Sequence, residues 1–377
     1  MIHLQNKDYI PGIDGLRAIA AMAVLLSHAT GNWGIFELGW IGVDLFFVIS
    51  GFLITKILIE NRGSSGYFKT FYYRRALRII PIYAIVVIPL VCFHLWRNQV
   101  PFYVPLSYLI YLQNSFAIDY GWLPGLAHTW TLAIEEQFYL FFPIVIYLLR
   151  PRFLLATFVS AIFFIIGLRF FFYFANFYTY YQGVFTISRL DSFLMGGLVA
   201  IIAYYQIVQS IQLKNLIFNS IIVFSLSLLL IQIYKYGQNT TGFFHQMMLG
   251  IHQFKFKSNL ISPYGQLKYS LLALLFAALL AKVVFQSSAF TQKMIHQLER
   301  PLIKEIGQMS YGLYLYHYIY VSLFRWFFDI DQAPPLYRIF LIFVIIIASY
   351  ITARFSYFRI EKPFLKKRPT YKYTSGE

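Results

Sequence analysis

Cysteine and charge are scarce in this sequence. One cysteine, Cys92, in 377 residues excludes an internal disulfide and argues against a thiolate metal site. Charged residues make up 12% of the chain, against about 25% in a soluble domain. Acidic residues are scarcer still, 15 against 31 basic ones. The apolar runs show no alternation with polar residues, which excludes a transmembrane β-barrel. No internal repeat is visible, so the inverted-repeat signature of many secondary transporters is missing. The first apolar run follows a polar segment, carries Arg17 and His28 and has no convincing cleavage site. It reads as a retained span rather than a signal peptide.

What is present is apolar mass. Hydrophobic residues are 59% of the chain and mean hydropathy is +0.61. Runs of about 20 apolar residues recur, each long enough to cross a bilayer. The expected fold is an all-α polytopic membrane bundle of about ten spans, at 13–31, 38–59, 76–96, 130–149, 153–174, 186–205, 215–234, 267–286, 305–327 and 337–358. The segment 102–114 is too short for a crossing and reads as re-entrant or interfacial. With the N-terminus cytoplasmic, the inner segments hold Lys7, the Arg62 to Arg78 group, Arg150 and Arg152, Lys214, the Lys282 to Lys304 group and the Arg359 to Lys372 group. The outer segments hold only Arg97, Lys235, Lys255, Lys257 and Lys268. This bias places both termini inside. The net charge of +16 is thereby topogenic and lipid-facing, with no nucleic-acid partner implied. The chain reads as one integral membrane domain over 1–377, with a core at 9–365 and a basic cytoplasmic tail at 366–377 lying on the inner membrane surface.

Ionisable groups inside spans are costly and usually line a functional path. The first span, DGLRAIAAMAVLLSH, holds three: Asp14, Arg17 and His28. Eleven residues separate Arg17 from His28, so they return to within about 20° of one helix face, roughly 16 Å apart along the axis. A histidine titrating near neutrality can act as general base toward a hydroxyl. In the loop after the second span, FYYRRALRIIP, Arg75 and Arg78 are neighbours on one turn, with Arg74 beside them. Guanidinium forks suit phosphate; a plain topogenic cluster is the alternative. HTWTLAIEEQFYL places Glu135, Glu136 and Gln137 at the outer end of the fourth span, with His128 at the same level just outside. Two carboxylates in one turn repel unless one is protonated or faces a cation, which makes Glu135 a partner for an imidazole. In the second span Gly39, Gly42 and Gly51 allow close helix approach, and Asp44 enters from the outer side with either a structural or a functional role. Arg189 and Asp191, in SRLDSFLMGG, read first as an internal ion pair. His317, among tyrosines in SYGLYLYHY, reads as a satisfied bundle histidine.

Taken in order, YIPGIDGLRAIAAMAVLLSH, GWIGVDLFFVISGFLI, RRALRIIP, HTWTLAIEEQFYL, SRLDSFLMGG, SYGLYLYHY and SYFRIEKPF resemble the membrane acyltransferase-3 family from Tyr9 to about Leu365. Thr131 stands where that family commonly has serine, which keeps the hydroxyl, and the extracytoplasmic SGNH-type domain of many relatives has no counterpart here. The resemblance implies an O-acetyltransferase of the bacterial cytoplasmic (inner) membrane. It would move an acyl group, usually acetyl, from cytoplasmic acetyl-CoA or another acyl-CoA to a hydroxyl of an extracytoplasmic glycan such as O-antigen, capsule or exopolysaccharide. The donor is a substrate, and no tightly bound cofactor or metal is implied. Arg17, His28 and Glu135 match the family's catalytic groups and Arg75 with Arg78 its cytoplasmic arginine motif, Arg74 adding charge. His28 would serve as general base or carry an acyl group. Glu135 would orient it, stabilise its imidazolium or hold the acceptor. Asp14, Asp44, His128, Glu136, Arg189 and Asp191 are the expected substrate-binding or structural support. A transporter or flippase of a lipid-linked or anionic molecule is the competing class.

Overall fold

The computed structural model describes residues 9–31, 33–116, 120–175, 183–236, 263–286, 288–328, 330 and 333–372. Lys7, Lys255 and Lys257 of the charge pattern lie outside the described residues. The described residues are mainly helical: α1 Ile13–Thr30, α2 Gly42–Glu60, α3 Tyr67–Arg97, α4 Trp130–Leu148, α5 Pro151–Phe174, α6 Thr186–Tyr204, α7 Ile211–Tyr236, α8 Lys268–Phe285, α9 Ala289–Leu298, α10 Pro301–Gln308, α11 Ser310–Phe328 and α12 Pro335–Ser356. Among the described residues, nine helices are long and apolar enough to cross a membrane. The expected span 305–327 is divided between α10 and α11. The nineteen residues of α11 are helical but rich in tyrosine, which keeps their hydropathy below that of the other nine.

The chain divides into two compact units, Met1–Ile57 with Leu149–Gln308, and Leu58–Leu148 with Met309–Glu377. In the first unit, α1 packs on α10, α5 on α6, and α8 on both α6 and α7. The α2–α6 crossing is set by glycine: a methyl group on Gly51 would overlap the Phe193 carbonyl, and one on Gly196 the Val48 carbonyl. Phe47 and Phe193 stack beside that crossing, centroids 4.6 Å apart. Gly39 and Gly42 seat in the same way against the backbone of α1. These contacts bear out the close approach expected of the second span.

In the second unit α11 packs along α12. The segment 102–114 forms no crossing: it is broken into Tyr103–Ser107, a 3₁₀ turn Tyr108–Ile110 and Gln113–Phe116, with Tyr111 in the left-handed region at φ 55°. It folds inward, and Gln113 and Asn114 are buried. Irregular backbone at membrane depth is tolerated where protein covers it. Here the Tyr83 hydroxyl donates to the Tyr108 carbonyl at 2.7 Å and the Gln113 amide to the Thr129 carbonyl at 2.8 Å.

Candidate functional sites in the two units

Asp14, Arg17 and His28 all lie on α1, an unbroken helix, and all three are half-buried. Gly12, at φ 90°, turns the chain into α1 and Gly31, at φ 62°, ends it. The start of α1 is tied down by Glu299, a residue the sequence did not single out. Its carboxylate accepts from the Tyr9 hydroxyl at 2.6 Å, the Gly12 N–H at 2.6 Å and the Lys304 ammonium at 3.1 Å. Negative charge is favourable at a helix N-terminus. Burial pushes the Glu299 carboxyl up, but donation from Tyr9, Gly12 and Lys304 outweighs it and holds the group below its ordinary value.

Charged residues of α2, α5 and α6 form a buried network in the first unit. Arg189 pairs with Asp44 at 2.6 Å and Arg169 with Asp191 at 2.8 Å. The expected pairing of Arg189 with Asp191 is therefore replaced by a crossed arrangement. Residues at i and i+2 point about 200° apart around a helix and do not face each other. Ser192 donates to Asp44 at 3.3 Å, Ser270 to Asp191 at 2.6 Å, and Arg169 to the Ser188 carbonyl at 2.7 Å; Arg169 also contacts the Ser270 hydroxyl. The Arg189 guanidinium sits over the Tyr269 ring, 3.8 Å from its centroid, a cation–π contact that covers one face. Lys268, expected as an outer topogenic charge, is instead buried. Its ammonium lies 5.1 Å from the Trp40 ring centroid and 4.8 Å from that of Tyr269. Arg169 and Ser270 escaped the sequence reading. The available signal was an arginine inside the apolar run of α5.

In the second unit α3 starts at Tyr67, nine residues before the expected span. Arg74, Arg75 and Arg78 therefore lie on a helix rather than in a loop, because nothing between Tyr67 and Pro81 breaks the helical backbone. The Arg75 guanidinium lies over the Tyr139 ring at 5.2 Å and the Phe71 ring at 5.7 Å. Arg74 lies over the Tyr371 ring at 5.5 Å. Among the described residues, none of the three arginines is in an ion pair. The tail, expected on the membrane surface, returns to this helix. Lys372 bridges to Ser65, whose backbone N–H donates to the Lys372 carbonyl at 2.8 Å. Burial and the nearby guanidiniums of Arg78, Arg75 and Arg74 push Arg368 down to about 9.

The α4 motif is held by tyrosines. Thr131 and Tyr314 share a hydroxyl–hydroxyl bond of 2.7 Å, and the Tyr314 hydroxyl lies 2.9 Å from the His128 carbonyl. His128 lies in a 3₁₀ turn, Ala127–Thr129, just before the start of α4. It is 2% exposed, stacked on Tyr318 at 4.9 Å and edge-on to His317 at 5.2 Å. Aromatic neighbours from α11 supply the cover that the sequence could not locate. His317 Nδ1 lies 3.2 Å from the Leu313 carbonyl, consistent with a satisfied bundle histidine. Glu135 accepts from the Tyr139 hydroxyl at 3.1 Å. Gln137 donates to the Tyr111 carbonyl at 2.7 Å and to Asn114 at 3.0 Å. Glu135 and Glu136 are both half-buried.

The structure thus gathers the arginines, with Arg368, in the second unit, along with His128, Glu135 and Glu136. Arg17 and His28 belong to the first unit, as does the Asp44–Arg189 and Arg169–Asp191 network. Comparison with known proteins gives a consistent placement. An O-acetyltransferase, OatA, of Staphylococcus aureus strain NCTC 8325 is 31% identical over 398 residues, covering 97% of this chain and 58% of the relative; OatA of strain COL gives the same figures. A further protein of strain COL, carrying a provisional O-acetyltransferase name, is 29% identical over 402 residues, with 97% and 60% coverage. The chain therefore spans about 60% of the length of the curated relatives it matches. No solved structure matches it significantly. The profile of the acyltransferase-3 family, described as an acyltransferase domain, matches residues 10–354, and with its set of apolar helices this multi-pass membrane protein belongs to that family.

Proposed function

We propose that this protein is an integral membrane O-acyltransferase that moves an acetyl or other acyl group from cytoplasmic acyl-CoA to a hydroxyl of an extracytoplasmic glycan such as O-antigen, capsule or exopolysaccharide. The observation that carries the donor assignment is the α3 cluster. Arg74, Arg75 and Arg78 project from two turns of one helix, and no carboxylate is ion-paired to them among the described residues. Arg74 and Arg75 lie over aromatic rings, the Glu136 carboxylate is near enough to act on Arg75, and the excess of guanidinium that remains suits a phosphate-rich ligand. In the proposed step the acceptor hydroxyl oxygen attacks the thioester carbonyl carbon. A C–O bond forms and the C–S bond breaks. The hydroxyl proton passes to the His28 imidazole and then to the departing thiolate, giving free CoA. Arg17 and Glu135 are assigned electrostatic support of this transfer. The enzyme is placed in the bacterial cytoplasmic membrane with both termini cytoplasmic, in keeping with the distribution of lysine and arginine.

The test uses purified protein, radiolabelled acetyl-CoA and extracted cell-envelope glycan. General-base catalysis contributes on the order of 10²–10⁴ in rate, so His28→Ala should lower label transfer by at least about a hundredfold. Donor affinity should stay within about twofold. Absence of transfer by the wild type, together with unchanged envelope glycans in cells carrying His28→Ala, refutes the enzyme reading in favour of a carrier.

A further inference from the structure

We propose that the C-terminal segment closes the phosphate site of α3, with Arg368 as a fourth phosphate-binding guanidinium and Tyr371 as the residue that holds Arg74 in place. The inference rests on the donor reading of the α3 arginines and goes beyond it. The family profile ends at residue 354 and the motif resemblance at about Leu365, so Arg368 and Tyr371 lie past both.

Three observations place the segment. A π-helical turn Tyr357–Glu361 continues α12 into the short helix Lys362–Lys366, and both pack against α3. Beyond it the chain is pinned by Ser65, whose backbone N–H donates to the Lys372 carbonyl at 2.8 Å and whose hydroxyl donates to the same oxygen at 3.1 Å. Between these anchors the Tyr371 ring meets the Arg74 guanidinium, 5.5 Å from its centroid. Arg368 lies in the same stretch, half-buried, and its Nε is buried without a hydrogen-bond partner. Among the described residues it too is outside any ion pair.

Four guanidiniums gathered this way repel one another. Burial is the larger cause that pushes Arg368 down, and Arg78, Arg75 and Arg74 add to it. A phosphate-bearing ligand relieves the repulsion. A diphosphate plus a phosphate monoester carries about four negative charges, the monoester alone about −1.5 to −2, which matches four guanidiniums. Two sources supply phosphate at this place, a nucleotide such as CoA and an anionic lipid headgroup; the proposal assigns the nucleotide. Tyr371 contributes by fixing Arg74 over its ring, which spares the ligand the entropy of ordering a free side chain.

The test measures acetyl-CoA binding by isothermal titration calorimetry on the full chain in nanodiscs of zwitterionic lipid. The variants are Arg368→Gln, Arg368→Lys, Tyr371→Ala and the double variant Arg75→Ala/Arg78→Ala. A hydrogen bond to a charged group contributes about 1.5–3 kcal/mol. Arg368→Gln should therefore weaken binding about tenfold or more, Arg368→Lys by less, and Tyr371→Ala about threefold. In turnover, KM for the donor should rise with kcat at saturating donor unchanged, a split that general loss of fold does not produce. If Arg368→Gln binds acetyl-CoA as wild type does while the double variant does not, the proposal fails and the donor reading stands. If all variants bind as wild type, both fail. If Arg368→Gln loses only its interaction with phosphatidylglycerol vesicles, the segment is a lipid contact and the proposal is overturned.

Discussion

Deleting the Asp191 carboxylate should destabilise the first unit more than almost any other single change. Asp191 and Arg169 are both 0% exposed and pair at 2.8 Å. In Asp191→Ala, Arg169 keeps the Ser188 carbonyl at 2.7 Å but loses its counter-charge. The Ser270 hydroxyl loses its 2.6 Å acceptor. Breaking a buried pair by removing one partner costs about 3–5 kcal/mol, because a buried charge is left uncompensated. Replacing both partners by apolar groups of similar volume is often neutral. Arg169→Met/Asp191→Leu should therefore recover most of what Asp191→Ala loses. For about two hundred cooperatively unfolding residues, 1 kcal/mol shifts a midpoint by about 2–4 °C, so the single variant should melt on the order of 10 °C lower. Detergent-solubilised protein followed by fluorescence-detected size-exclusion chromatography after heating reads this directly. The sharper readout is a set of double-mutant cycles. Coupling between Arg169 and Asp191, and between Asp44 and Arg189, should each exceed coupling between Arg189 and Asp191. A dominant Arg189–Asp191 coupling would refute the crossed pairing.

The junction before α1 should loosen in acid. Glu299 has a folded pKa below its unfolded value, so its contribution is present above the unfolded pKa of about 4.3 and is lost as pH falls through the lower folded one. The protection factor of the Gly12 amide, taken against its intrinsic exchange rate at each pH, should fall across that window in wild type, with Glu299→Gln already low at neutral pH; equal protection at both pH values would contradict it. Gly196→Ala should drive a methyl group into the Val48 carbonyl and part α2 from α6, lowering the melting midpoint more than Gly167→Ala, where nothing lies within reach. A reporter fused after Glu377 should report the cytoplasm, and an external signal there would mean an odd number of crossings.

Much of the architecture is legible in one dimension because a bilayer reduces it to a question of apolar length. Nine of the expected spans appear as helices long and apolar enough to cross. The short 102–114 segment is broken, as its length implies. Expectation and structure part where tyrosine replaces aliphatic residues, in α11. They part again where a helix runs past its apolar stretch, as α3 does to carry Arg74, Arg75 and Arg78. Hydropathy marks the edge of lipid, whereas the backbone continues helical until something breaks it.

The sequence by itself determined the class of protein and nine of the ten expected spans, since each is a local property of a window of chain. Tertiary structure alone decided the partners. Arg189 takes Asp44 from another helix because its neighbour Asp191 points to a different face. His128 is enclosed by rings from α11 nearly two hundred residues away. Arg368 and Tyr371 reach the α3 arginines across about three hundred residues of chain. Charge pairing and burial depend on distance in space, and a helix face shows which way a side chain leaves the backbone but not what it meets.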